Sequence, residues 1–98
     1  MKKNLLDPQR LEYAASKFRA ISHPMRVSII QMLEDNKQMN VTQIYKKLNI
    51  EQAAASHHLN ILKSKNIIQS RRDGKNTIYS LKDDAMVRLT ECIQRCCD

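Results

Sequence analysis

Apolar side chains recur at spacings of three and four along most of the chain, and this rhythm gives way to a short strand-like pattern near residue 70. Leu11, Ala14, Ala15, Phe18 and Ile21 form one stripe after Asp7 and Pro8. An acceptor at the cap and a proline in the first turn suit a helix start, so a first helix is predicted over about 8–20. "SHPMRVSIIQMLEDN" repeats the start signal with Ser22 and Pro24, and its buried stripe is Val27, Ile30 and Leu33. The polar run "EDNKQ" ends it.

"VTQIYKKLN" has room for little more than two turns, with Thr42 as its cap and Ile44 and Leu48 facing inward. Asn49 and Ile50 break the rhythm. From Glu51 a longer helix places Ala55, Leu59 and Leu62 on one face and Gln52, Ser56, His57, Asn60 and Lys63 on another. Two helices with about three residues between them predict a helix-turn-helix over about 42–65.

In "NIIQSRRDGKNTIYSL", Asp73-Gly74 suits a two-residue type I′ turn, which predicts a hairpin over about 67–81. That turn pairs Arg72 with Lys75, Ser70 with Thr77 and Ile68 with Tyr79, so like charges face each other at the tip. "DDAMVRLTECIQRCCD" opens with acids that suit a helix N-terminus and sets Met86, Leu89, Ile93 and Cys97 at helical spacing. A last helix is predicted over about 83–97. The fold class expected is mainly α with a small β-hairpin wing, a winged helix-turn-helix in a single domain over 1–98.

With 98 residues, 42% hydrophobic and 28% charged, the chain is too apolar for a disordered tail and carries no run of about 18 apolar residues. A soluble cytoplasmic domain with no membrane contact is expected. Its formal net charge is +7. Residues 63–82 hold six basic groups against one acidic, whereas residues 83–98 hold two against four. The excess is concentrated on the hairpin and the end of the preceding helix, so an anionic partner is expected there.

Gln52 and Asn60 suit adenine edges in a major groove, and Ser56 and His57 suit bases or phosphates. A solvated helix face would look similar in isolation; the short helix before it and the basic hairpin after it favour double-stranded DNA. Lys63, Arg71, Arg72 and Lys75 suit phosphates or a minor groove. His23, His57 and His58 do not read as a metal site, because adjacent helical residues point about 100° apart. One groove contact, one packing or hydrogen-bonding residue and one neighbour of a helix cap account for them.

Cys92, Cys96 and Cys97 all lie in the last seven residues, an odd and clustered set unlike a disulfide framework. Two roles fit them. Cys92 and Cys96 share a helix face and suit a soft ion such as arsenite, cadmium or copper(I), with Cys97 or a partner-chain thiol as third ligand. Equally, they suit small hydrophobes in a dimer seam. Catalysis finds little support, since the chain has neither a glycine-rich phosphate loop nor a cysteine with a histidine nearby in sequence.

The order of elements, with "FRAISHPMRVSIIQML", "A-x-S-H-H-L-x-x-L" at 54–62 and the hairpin ending in "IYSL", resembles the ArsR/SmtB family of bacterial winged-helix repressors over residues 11–97. The resemblance implies a homodimer joined through the first and last helices. Its two recognition helices would enter successive major grooves of an imperfect palindrome, and a small inducer would release the DNA. The family's Cys-x-Cys site in the third helix falls on Asn40 and Thr42 and is absent; its zinc site on the last helix falls on Asp83, Ala85, Cys96 and the chain end. Neither the thiolate site nor the zinc site is formed. Redox-sensing members pair a cysteine of the second helix with one of the last, and residues 24–35 contain none. Cys92, Cys96 and Cys97 look most like the soft-metal or arsenite thiols that other members carry near the C-terminus.

The function expected is therefore a dimeric sequence-specific DNA-binding regulator, a repressor that requires no cofactor and answers to an inducer such as a soft metal ion or arsenite. Competing readings are a winged-helix protein-interaction module without specific DNA binding, an inducer-independent repressor, and a thiol-dependent enzyme or metal carrier.

Overall fold

The computed structural model describes residues 7–82 and, beyond them, Arg88, Glu91, Cys92, Arg95 and Cys96. Those five are helical and exposed; the remainder of the predicted last helix, with its stripe of Met86, Leu89, Ile93 and Cys97, lies outside the described residues.

Four helices come first: α1 (Pro8–Ile21), α2 (Pro24–Asn36), α3 (Val41–Leu48) and α4 (Gln52–Ser64). A short strand β1 (Met39–Asn40) precedes α3, and a hairpin of β2 (Ile68–Asp73) and β3 (Asn76–Leu81) follows α4. The sheet has the order β1-β3-β2 and is antiparallel throughout. Met39 pairs with Tyr79 and Asn40 with Ile78, so the residues just before α3 are stitched to the wing. Two residues are too few to show a period of two, and the sequence gives no signal for β1.

Each helix start has a definite chemistry. Asp7 caps α1 by accepting from the Gln9 N–H at 3.1 Å. At α2 the cap is His23 rather than Ser22: the His23 Nδ1 accepts from the Met25 N–H at 3.1 Å. Ser22 instead closes α1, its hydroxyl donating to the Phe18 carbonyl. At α3 the cap is Asn40 rather than Thr42. The Gln43 N–H donates to Asn40 Oδ1 and the Asn40 N–H donates to Gln43 Oε1, both at 2.8 Å, which completes a capping box.

Asparagines close the two helices of the helix-turn-helix. Asn49 has φ 57° and ψ 47°, and the N–H groups of Asn49 and Ile50 donate to the carbonyls of Lys46 and Tyr45. After α4, Asn66 has φ 61°, and the N–H groups of Asn66 and Ile67 donate to those of Lys63 and Leu62. Both are Schellman closures, and asparagine tolerates the left-handed conformation they need better than most residues. The second leads directly into buried Ile67 and Ile68 at the foot of the hairpin.

The core joins Ala20 and Ile21 of α1, Ile29, Ile30 and Leu33 of α2, Ile44 of α3, Leu59 and Leu62 of α4, and Met39, Ile67 and Ile68. A fully buried Ile or Leu contributes about 1.5–3 kcal/mol. Ile44, Leu59 and Leu62 thereby hold α3 and α4 against α2 at a fixed angle, with the outer face of α4 left to solvent. The apolar stripe of α1 behaves differently. Its C-terminal end is buried, but Leu11 is 51% exposed, Phe18 49% and the neighbouring Tyr13 54%.

The hairpin register differs from the sequence expectation by two residues. Asp73 pairs with Asn76, Arg72 with Thr77, Ser70 with Tyr79 and Ile68 with Leu81. The loop is therefore Gly74-Lys75, with Gly74 at φ 64° in the first central position. Lys75 is not among the described residues with positive φ, which identifies a type II′ turn. A type I′ turn over Asp73-Gly74 would drive Asp73 to positive φ; placing the glycine first avoids that cost. Arg72 consequently does not face Lys75, and the tip has no opposed like charges across the ladder.

Candidate nucleic-acid interface

Three residues, Asn49, Ile50 and Glu51, separate α3 from α4. On α4, Ala55, Leu59 and Leu62 are fully buried, while Gln52, His57, Asn60 and Lys63 are exposed and Ser56 is half-buried. The outer side of the helix thus presents two amides, an imidazole, a hydroxyl and an ammonium. The amides, the imidazole and the hydroxyl both donate and accept, as base edges require, while the ammonium only donates. The buried side fixes the axis about which they are arrayed.

Arg71, Arg72 and Lys75 are exposed on the hairpin. The Arg71 guanidinium donates to Gln38 Oε1 at 3.0 Å and lies 3.8 Å from the Asp73 carboxylate. Arg72 donates to Thr77 Oγ1 and to the Gly74 carbonyl, each at 3.4 Å. Both arginines are tethered by neutral or singly charged neighbours and keep free donors. Lys75 stands in the turn itself.

His58 belongs elsewhere. It is half-buried on the side of α4 facing α2, where its Nδ1 accepts from the Arg26 Nε–H at 3.2 Å, and its ring centroid is 4.6 Å from that of His23. Burial pushes its pKa below the ordinary value of 6.5, and the charges of His23, Arg26 and His57 push it further the same way. His57 is its ring neighbour at 5.7 Å but is itself exposed. Sequence reasoning missed Arg26 and Gln38. Each acts across more than thirty residues of chain, and no local spacing signals such a contact.

Cys92 and Cys96 are exposed and free, and Arg95 donates to the Cys92 sulfur at 3.7 Å. Cys97 lies outside the described residues. Among the described residues, no group of three or more His, Cys, Asp or Glu side chains is placed to hold a metal ion.

A model of the bacterial arsR family of regulatory proteins matches residues 23–70, from the α2 cap through α3 and α4 into β2. The HTH-type transcriptional regulator MJ1325 of Methanocaldococcus jannaschii is 34% identical over 87% of this chain and 96% of its own length. The chain belongs to the arsR family.

Another family relative, the transcriptional repressor PagR of Bacillus anthracis, is 33% identical over 86% of this chain and 87% of its own. The crystal structure of PagR superposes with a TM-score of 0.77, covering 87% of this chain and 97% of that one. The solution structure of a homodimeric winged helix-turn-helix DNA-binding domain from Mycobacterium bovis matches with a TM-score of 0.81 over 92% of this chain and 82% of its own; at 24% identity it bears on the fold alone. As an arsR-family protein the chain is a winged helix-turn-helix transcriptional regulator, with α3 and α4 as the helix-turn-helix and β2–β3 as the wing. No helix among the described residues is long and apolar enough to cross a membrane.

Proposed function

We propose that two copies of the chain form a homodimeric repressor that binds an imperfectly palindromic DNA operator. In each copy α4 enters the major groove. Gln52, Ser56, His57 and Asn60 contact base edges and adjacent backbone there, while Lys63, Arg71, Arg72 and Lys75 contact phosphates or the neighbouring minor groove. One observation carries this reading: a helix locked from behind by Ala55, Leu59 and Leu62 presents an amide-rich outer face, and a wing with three exposed cations follows it. Leu11, Tyr13 and Phe18, exposed on α1, supply apolar surface for the second copy. Burying such surface in a symmetric dimer also sets the spacing of the two α4 helices, and with it the half-site separation.

The inducer proposed is a soft ion, arsenite or cadmium, held by Cys92, Cys96 and Cys97. The exposure of Cys92 and Cys96, one helical turn apart, supports it. A duplex enriched from random-sequence DNA by the purified, reduced protein tests both parts. Fluorescence anisotropy is expected to give tight binding to that duplex, weak binding to a scrambled one, and release by the soft ion in the parent but not in the variant with all three cysteines changed to serine. Equal affinity for both duplexes would remove the operator from the proposal, and equal response of parent and variant would remove the thiol inducer.

A further inference from the structure

Behind the outer face of α4 sits a cluster that the DNA contacts do not use. We propose that Arg26 is a positioning residue for the recognition helix, acting through His58 in a contact that forms only while His58 is neutral. This inference rests on the reading of α4 as the DNA-reading element.

The geometry fixes the proton. Arg26 is charged at every relevant pH, and its Nε–H donates to the His58 Nδ1 at 3.2 Å. A nitrogen that accepts a hydrogen bond carries no proton, so neutral His58 holds its proton on Nε2. Protonation would place an N–H on Nδ1, pointing at the Arg26 N–H, with two positive charges in contact. The bond is then lost and replaced by repulsion.

The rest of the cluster leaves Arg26 little freedom to yield. Its Nη1 donates to the Ala20 carbonyl at the end of α1 at 3.2 Å, so one guanidinium bridges α1, α2 and α4. His23 packs against the His58 ring and is itself committed: its Nδ1 accepts the Met25 N–H as the cap of α2. The ionisable groups acting on His58 are His23 and Arg26 from α2 and His57 from α4 itself. Among the described residues none from α1, α3 or β2 acts on it, and no carboxylate is among the groups acting on it to accept a hydrogen bond from the imidazolium. His57, the proposed groove contact, is the next residue along. A shift of His58 away from α2 rotates or translates that contact with it.

The test uses the full chain, its His58→Asn variant and its Arg26→Met variant. The asparagine side-chain oxygen sits near the position of an imidazole Nδ1, so His58→Asn keeps an acceptor for Arg26 and removes the titration. Heteronuclear NMR of the free parent is expected to show His58 as the Nε2–H tautomer at pH 7.5, titrating below the ordinary histidine value of 6.5. Anisotropy on the duplex enriched from random-sequence DNA is expected to show parent affinity falling severalfold relative to His58→Asn as pH drops from 7.5 to 5.5, toward the limit of about tenfold that one pKa unit of coupling sets once both pKa values are passed. Arg26→Met is expected to lose discrimination between that duplex and a scrambled one at pH 7.5 while remaining folded by circular dichroism. His58 found protonated at Nδ1, or parallel pH profiles for parent and His58→Asn on a duplex both bind, would overturn the inference and leave the DNA reading standing. Failure of any duplex to enrich would overturn the DNA reading, and the inference with it.

Discussion

Arg71 on the wing donates to Gln38, which lies thirty-three residues earlier in the chain, with 3.0 Å between the guanidinium nitrogen and the amide oxygen. Gln38 immediately precedes β1, and the pairing of β1 with β3 places it beside the wing. A long exposed cation is thereby held in one arrangement before any phosphate arrives. Ordering an arginine side chain otherwise costs up to about 1.5–2 kcal/mol in rotamer freedom.

Two substitutions separate the charge from its positioning. Arg71→Ala is expected to weaken binding to every duplex and to reduce the slope of log affinity against log salt by about 1, as one lost phosphate contact does. Gln38→Ala is expected to leave that slope unchanged and to lower affinity by about 0.5–1 kcal/mol, the scale of one net hydrogen bond. Anisotropy titrations at several salt concentrations read both. An unchanged slope for Arg71→Ala would take the wing arginine off the phosphate.

On α4 the expected pattern is the opposite. Ser56→Ala and Asn60→Ala remove hydrogen-bonding groups from the outer face without changing charge. Each is expected to lower the preference for the selected duplex over a scrambled one by about 1–3 kcal/mol, with non-specific affinity and salt slope retained. A uniform loss across both duplexes would assign these side chains to the backbone instead.

These contrasts follow from what the sequence carried. The inward and outward faces of α4 are legible because period 3.6 sorts Ala55, Leu59 and Leu62 from Gln52, Asn60 and Lys63 without reference to anything distant. The hairpin was legible as a hairpin but not in register: Asp73-Gly74 and Gly74-Lys75 are both acceptable two-residue loops, and the backbone sign at Asp73, positive in the first and negative in the second, separates them. Helix starts were legible to within a residue or two. Ser22 and Thr42 have the expected chemistry, but His23 and Asn40 lie in the extended conformation that a cap needs. What could not be read were the contacts of Arg26 with His58 and Gln38 with Arg71, which depend on the packing of whole elements.

The turn of the helix-turn-helix depends on one backbone conformation. Asn49 sits at φ 57° and ψ 47°, where a Cβ-branched residue is strained by roughly 1–2 kcal/mol. Asn49→Val is expected to lose about that much stability in urea unfolding followed by circular dichroism, and Asn49→Gly to lose little or none. Because the same residue sets the exit of α3 toward α4, the valine variant is expected to lose DNA affinity beyond what its unfolded fraction explains. Full DNA affinity in a destabilised valine variant would show that the turn supports the fold without tuning the helix.

Stability of the free protein should also carry a pH signature of His58. Its folded-state pKa is lowered first by burial and then by the charges of His23, Arg26 and His57. In the unfolded chain the same imidazole titrates near 6.5, so over the interval between the two values the unfolded state binds more protons. The contribution of His58 is therefore complete above about pH 6.5, shrinks as pH falls through the folded-state value, and is gone below it. Carboxylates that titrate lower contribute their own slope, so the informative quantity is a difference. The gap in Tm between the parent and His58→Asn is expected to favour the parent most at pH 7.5 and to narrow by pH 5. A gap that is constant across that range would mean that the folded-state pKa of His58 is not lowered, and that the Nδ1 of its ring does not accept from Arg26 in solution.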